Sequence, residues 1–342
     1  MSVRGRKVCV TGPARLKLAE DLLRAAGCEL VLGKSADDFR SFRYDTRELI
    51  ALVGDSDAIY PAGRDFIGRD VLAACPRVQA VVKSSIGIET VDVEAATELG
   101  ILCCNSPTPE NYLGVAEATV GLIAALFKRL KLNEAWLRGG GWKEPENRGA
   151  LMLGKTAGII GLGRIGKAVA RRLGGWEMKL IGYDPYVSHE TMASVGVRKV
   201  GLEELLRESD VVTVHVVLTR ETRGMLRMEQ LRMMKPSAYI VNTSRGQVFH
   251  EQDLCRALND GLIAGAALDV FEEEPLPPDN PLRRVDPARL ILTPHIIGNN
   301  PGSLEAGQRM AAQSILAVLE GRVPETVVNP DAVPRWRERF WR

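Results

Sequence analysis

Short apolar, largely β-branched runs alternate with longer amphipathic stretches along most of the chain. Residues 8–10, 29–32, 58–60, 78–82 and 101–103 read as strands. Helices are predicted among them at 14–26, ended by Gly27, and at 47–53. Near residue 105 the rhythm breaks at Asn105-Ser106-Pro107-Thr108-Pro109, a turn-rich linker. One long helix is predicted over 112–138, closed by Gly139, Gly140 and Gly141. A second series follows, with strands within 154–161 and at 179–183, 210–214, 238–241, 264–268 and 290–292, and a helix at 164–173. A last helix is predicted near 303–320, and the tail from Gly321 reads as extended.

Strand–helix–strand repetition predicts an α/β fold of two doubly wound parallel sheets. The length, 342 residues, fits about two domains. The simplest division makes one domain from 1–107 and 301–342 and inserts the other, 108–300, between them. The two long helices then carry the chain across and back, and the cleft between domains is the expected small-molecule site.

Composition narrows the class. Lys+Arg 45 against Asp+Glu 43 leaves a net charge of +2, which argues against a nucleic-acid partner. There is no apolar run of membrane-spanning length and no signal-peptide core, so no membrane partner is expected. Cys9, Cys28, Cys75, Cys103, Cys104 and Cys255 form no CxxC pair. They read as reduced thiols of a cytoplasmic protein, with no metal site.

Gly161-Leu162-Gly163-Arg164-Ile165-Gly166 is a GxGxxG motif in the right setting. A predicted strand precedes it, a predicted helix continues it, and a second strand ends at Asp184, 18 residues beyond Gly166, near the expected spacing of about 20. Gly161 permits the tight turn, Gly163 lets backbone approach a diphosphate, and Gly166 lets helix pack on strand. The helix start offers amides and a positive dipole end to phosphates. Asp184 can accept from both ribose hydroxyls and would repel a 2′-phosphate, so NAD (NADH) is expected and NADP disfavoured.

Three later stretches look chemical: Asn242-Thr243-Ser244-Arg245-Gly246 after a strand, Asp269 through Pro275, and Thr293-Pro294-His295. Arg245 offers a rigid fork of donors for a carboxylate. From about residue 78 to 300, these stretches, the glycine motif and His215-Val216-Val217-Leu218-Thr219 resemble the D-isomer specific, NAD-dependent 2-hydroxyacid dehydrogenases. Val327-Val328-Asn329-Pro330 resembles that family's closing segment.

The resemblance implies two Rossmann-like domains, with the NAD-binding one inserted into a flavodoxin-like substrate domain. It places the catalytic residues on Arg245, Glu274 and His295, leaving Glu272 and Glu273 as surface neighbours. Cofactor contacts fall on Arg164, Ile165, Asp184, Thr243 and Asp269, joined by Ser244 of the same stretch and by His215 lining the cleft. The substrate turn falls on Ser85, Ile86 and Gly87, binding a carboxylate through backbone amides, with Arg245 and His295 on the reacting group. His295 would move the proton, and Glu274 would raise its pKa. Ser85, Glu89, Ala118, Val217 and His250 depart from the family's common pattern, and the linker looks about one residue longer. Those near the acid-binding turn leave the substrate open.

Other residues have simpler readings. Lys83 reads as a solvated surface lysine, His189 as exposed in a polar loop, and His250 as a helix cap. The basic, aromatic tail from Arg335 to Arg342 reads as a segment packed on the N-terminal domain rather than a flap. A homodimer is expected from the resemblance and from Val115, Leu122, Ile123, Leu126 and Leu130 on the long helix. The main reading is a dehydrogenase of a small 2-hydroxy acid. The alternatives are a dehydrogenase of a phosphorylated hydroxy acid and an NAD-sensing binding module like the C-terminal-binding corepressors, which share the fold.

Overall fold

The computed structural model describes residues 3–12, 17–34, 44–61 and 65–341. The chain divides into two compact units, residues 1–111 with 300–342, and residues 112–299.

The first unit begins β1 (Lys7–Val10), α1 (Leu18–Ala25), β2 (Glu29–Leu32), α2 (Thr46–Val53), β3 (Ala58–Tyr60), α3 (Arg69–Ala74), β4 (Ala80–Val82), α4 (Val93–Glu98) and β5 (Leu102–Cys104). The strands form one parallel sheet in the order β2-β1-β3-β4-β5, the flavodoxin-like order. Residues 14–16 of the helix predicted at 14–26 lie outside the described residues.

The chain continues as α5 (Pro109–Phe127), α6 (Leu130–Arg138), β6 (Thr156–Ile160), α7 (Arg164–Gly174), β7 (Lys179–Tyr183), α8 (His189–Ala193), β8 (Arg198–Lys199), α9 (Leu202–Glu208) and β9 (Val211–Val214). Then come α10 (Met228–Arg232), β10 (Tyr239–Asn242), α11 (Glu251–Asn259), β11 (Gly265–Leu268) and β12 (Leu290–Leu292). The second sheet is parallel in the order β12-β11-β10-β9-β6-β7-β8. Its strand order reverses between β6 and β9, and ligands of open parallel sheets bind beyond the carboxyl ends at such a reversal. Two apolar cores cover its faces, one holding Ile160, Val212 and Ile240, the other Ile159, Val211 and Val241.

The single helix expected over 112–138 is two. Arg129 adopts φ 50°, which ends α5 and starts α6. The carbonyl of Phe127 accepts from the amide of Ala150, and Asn133 Nδ2 donates to the carbonyls of Arg129 and Asn147. A returning strand of chain thus takes over the helix-end hydrogen bonds. The apolar surplus read as a dimer surface is mostly internal: Leu122, Ile123 and Leu126 are buried in the second unit's core, and Val115 packs against Gly298. Of the five, Leu130 stays exposed.

After α12 (Pro301–Leu319) the tail does not run extended throughout, because α13 (Val333–Phe340) is helical. Asn329 is buried, its Oδ1 accepting from the amide of Cys103 at 2.7 Å, which secures the segment along β5. Trp336 is fully buried in the first unit's core, so the tail packs as expected. Lys83 is also buried, not solvated: it follows β4, and its Nζ donates to Thr90 Oγ1 at 2.6 Å. All six cysteines are buried and free. Among the described residues, no helix is long and apolar enough to cross a membrane.

Candidate active site

At the strand reversal, β6 leads into Gly161-Leu162-Gly163 and then α7, while β9 leads into His215. Gly161 has φ +90°, and a Cβ there would lie 2.7 Å from the His215 carbonyl oxygen. At Gly166 a Cβ would lie 2.0 Å from the Gly161 oxygen, whereas at Gly163 it would meet nothing within 4 Å. The turn is closed on two sides and open on the third. The first turn of α7 has no acidic residue and no side-chain cap, so no side chain competes for its free amides. Arg164 is exposed and Ile165 half-buried. The Asp184 carboxylate is fixed beside the turn, accepting from the amides of Leu162 and Tyr186, each at 2.9 Å.

His215 Nε2 lies 2.9 Å from Thr213 Oγ1, while Nδ1 is sealed from solvent without a partner. Burial pushes its pKa down to about 3, so the ring is neutral near pH 7.

Asn242, the last residue of β10, organises a tight turn. Its Oδ1 accepts from the Ser244 amide at 3.0 Å and hydroxyl at 2.8 Å, and its Nδ2 donates to the Arg245 carbonyl at 2.9 Å. Thr243 Oγ1 lies 2.9 Å from Thr119 Oγ1 on α5. The hydroxyls of Thr243 and Ser244 are thus both engaged within the protein. Arg245 is half-buried and donates from Nη1 to the Ser244 carbonyl at 2.6 Å. The next residue must be small: a Cβ on Gly246 would lie 1.8 Å from the Phe271 carbonyl carbon. The Arg245 turn is therefore pressed onto the segment that carries Glu274.

Glu274 Oε1 accepts from the Phe271 amide at 3.0 Å, and its Oε2 lies 2.6 Å from His295 Nδ1. Burial alone would raise the Glu274 pKa, but the hydrogen bond and charge of His295 outweigh it and hold the pKa low. The hydrogen bond to Glu274 raises the His295 pKa against burial and the nearby Arg245 charge, with help from Asp269. The structure thus brings Arg245, Glu274 and His295 together.

Asp269 is buried, and burial raises its pKa. Its Oδ1 accepts from Thr293 Oγ1 at 2.6 Å and from the Ile296 amide at 3.1 Å, bonds that hold the loop carrying His295. That loop places His295 at φ 51°, a sparsely populated conformation for a residue with a side chain.

Ser85, Ile86 and Gly87 form a turn after β4, in the first unit. Ser85 Oγ donates to the Gly87 carbonyl at 3.0 Å, and Asn105 Nδ2 to the Ile86 carbonyl at 2.9 Å. His189 is exposed as expected, but opens α8 rather than lying in a loop. His250 occupies the N-cap of α11 without capping it, and pairs with Asp253 at 3.1 Å instead. Among the described residues, no group of three His, Cys, Asp or Glu side chains could hold a metal ion.

Sequence reasoning passed over Glu251, and read Glu272 as a surface neighbour. Glu272 is exposed, yet it and buried Glu251 hydrogen-bond to each other's backbone amides, and Asn280 Nδ2 donates to Glu251 Oε2 at 2.9 Å. An acidic residue at a helix start is ordinarily read as a partner of the helix dipole, which hid this role.

Residues 120–296 match the family model described as the NAD binding domain of the D-isomer specific 2-hydroxyacid dehydrogenases. The chain belongs to that family. This 2-hydroxyacid dehydrogenase is therefore an oxidoreductase with an NAD-binding domain. It is 38% identical to a glyoxylate reductase of Thermofilum pendens, over 90% of each chain. It is 36% identical to a D-3-phosphoglycerate dehydrogenase of Methanocaldococcus jannaschii, over 96% of this chain but only 60% of that relative. The fold matches the crystal structure of a Thermus thermophilus protein at TM-score 0.84 and 34% identity, covering 94% of this chain and 99% of that one.

Proposed function

We propose that the protein interconverts a small 2-oxo acid and its D-2-hydroxy acid, with NAD as the redox partner and His295 as the acid–base group. The observation that carries this reading is the 2.6 Å contact between His295 Nδ1 and Glu274 Oε2. It commits one ring nitrogen to the carboxylate and leaves Nε2 for substrate. In reduction, protonated His295 donates to the developing alkoxide oxygen, and in oxidation it takes that proton back. Arg245 orients the substrate carboxylate and stabilises the charge that grows on the reacting oxygen. The backbone amides of Ser85, Ile86 and Gly87 are proposed to receive the carboxylate.

The turn at Gly161, Gly163 and Gly166 fits a dinucleotide, because a Cβ would close it on two sides while Gly163 faces open space. When bound, the nicotinamide supplies the carbon that gives or accepts hydride. Gly161, Gly163, Arg164, Ile165 and Gly166 would hold the diphosphate, and Asp184 the ribose. Its fixed carboxylate is the reason to expect NAD over NADP. His215, Thr243, Ser244 and Asp269 complete the cofactor wall.

The substrate class is tested by following NADH oxidation with glyoxylate, longer 2-oxo acids and a phosphorylated 2-oxo acid. Undiminished turnover by His295→Ala rules out the acid–base assignment. The likeness to a phosphoglycerate dehydrogenase keeps a phosphorylated acid as the second reading. An NAD-sensing binding module is less favoured, since both relatives are named as enzymes; tight NADH binding without turnover on any acid would restore it. A homodimer is proposed on family grounds, with exposed Leu130, Trp136 and Leu137 of α6 as its apolar surface. Sedimentation as a monomer at micromolar concentration refutes it.

A further inference from the structure

The second unit also holds a cavity of about 430 Å³ at the other end of its sheet. Tyr239, the first residue of β10, and Ile291 of β12 line it together with the break between α5 and α6. Four cationic side chains line it, Arg129, Lys131, Arg148 and Arg289, and no acidic residue does.

The chain as a whole carries only +2, so this concentration of positive charge is local rather than a reflection of general basicity. Backbone carbonyls orient three of the four cations. Arg129 Nη1 donates to the Glu146 oxygen, Lys131 Nζ to the Leu290 oxygen at 2.8 Å, and Arg289 Nη1 to the Leu258 oxygen at 3.2 Å. Carbonyls accept hydrogen bonds but do not neutralise charge. None of the four forms an ion pair among the described residues.

We propose that this cavity binds a small ligand with two or more negative charges, a phosphate ester or a polycarboxylate. Its size lies within the range of about 300–1,000 Å³ usual for small-molecule sites. Three arginines offer forked donors that match oxyanions, and an anion relieves the mutual repulsion of the four cations. The cavity is separate from the reacting centre. β10 runs from Tyr239 at the cavity to Asn242, three steps of about 3.3 Å, and Arg245 lies beyond that end. The inference is independent of the proposed substrate.

The test is calorimetric titration of the full chain with inorganic pyrophosphate and, separately, with citrate, each with and without saturating NADH. The expected result is submillimolar binding that persists with NADH and weakens in about 0.5 M salt. The double variant Arg148→Gln/Arg289→Gln should weaken it at least about tenfold. Arg148 is exposed and the Arg289 side chain makes a single hydrogen bond among the described residues, to a backbone carbonyl, so an unchanged melting temperature is expected and confirms that the variant is folded. Heat with pyrophosphate alone identifies phosphate esters as the ligand source, heat with citrate alone polycarboxylates, and heat with both shows that charge selects. Absence of heat with either anion, equal affinity in the folded variant, or loss of binding when NADH is added overturns the proposal.

Discussion

Glu251 and Glu272 exchange hydrogen bonds between carboxylate and backbone: Glu251 Oε1 accepts from the Glu272 amide at 2.5 Å, and Glu272 Oε1 accepts from the Glu251 amide at 2.9 Å. The pair ties the start of α11 to the segment that ends at Glu274. Gln247 Nε2 adds a bond to the Glu272 carbonyl at 2.8 Å. Glu251 is buried and its oxygens are satisfied by neutral donors, so the brace is structural, and under the proposed mechanism it acts on catalysis by positioning Glu274. Glutamine at 251 can replace only one of the two acceptor oxygens. Glu251→Gln should therefore destabilise the protein by about 1–3 kcal/mol in urea unfolding. It should lower kcat more than it raises KM, with the pH profile unmoved because the His295–Glu274 pair remains. Unaltered stability and kcat would refute the brace.

With His295 as the proposed acid–base group, its raised pKa should set the pH dependence of reduction. Its protonated form, the proposed donor, persists above the ordinary histidine value of about 6.5 and is lost as pH rises through the raised pKa. Glu274→Gln removes the largest cause of that shift, so kcat/KM for reduction should begin to fall at lower pH than in the wild type. The companion variant Arg245→Gln removes a charge that opposes protonation of His295, so its falling limb should move to higher pH even as turnover drops. A profile unmoved by either change would separate the observed limb from His295.

How much of this was legible in the sequence depended on whether the cause was local. The β6–Gly161–α7 unit was readable because a strand, a glycine turn and a helix follow each other in the chain, each with its own pattern. Arg245, Glu274 and His295 were readable as types by resemblance, but their meeting depends on the parallel order of β10, β11 and β12. The break at Arg129 was hidden because no glycine or proline marks it, and the bonds that stabilise it come from Ala150 and Asn133. Burial of Lys83 was hidden for the same reason: its partner, Thr90, lies across a turn and leaves no periodic signature.

His215 makes stability depend on acid. Burial holds its folded pKa near 3, so the unfolded chain binds the proton more readily at intermediate pH. Stability from this group is present above about pH 6.5 and is lost as pH falls from there toward 3, at up to about 1.4 kcal/mol per pH unit. Between pH 7 and pH 5 the loss should be about 2 kcal/mol. Chemical denaturation at the two values, in the wild type and in His215→Gln, isolates that contribution. An equal acid sensitivity in both proteins would show that burial does not hold the His215 pKa down.

The two glycines flanking the start of α7 should respond differently to the same added methyl group. At Gly166 the new Cβ would overlap the Gly161 carbonyl at 2.0 Å, so helix and strand must separate. Gly166→Ala should lower stability by about 1–3 kcal/mol and weaken NADH binding with it. At Gly163 the Cβ would enter open space, and φ −71° suits alanine. Gly163→Ala should leave the melting temperature unchanged and still raise the NADH Kd at least about tenfold, because that space is where the diphosphate is proposed to approach the backbone. Full NADH affinity in Gly163→Ala would mean that the diphosphate is held elsewhere, whatever Gly166→Ala does to the fold.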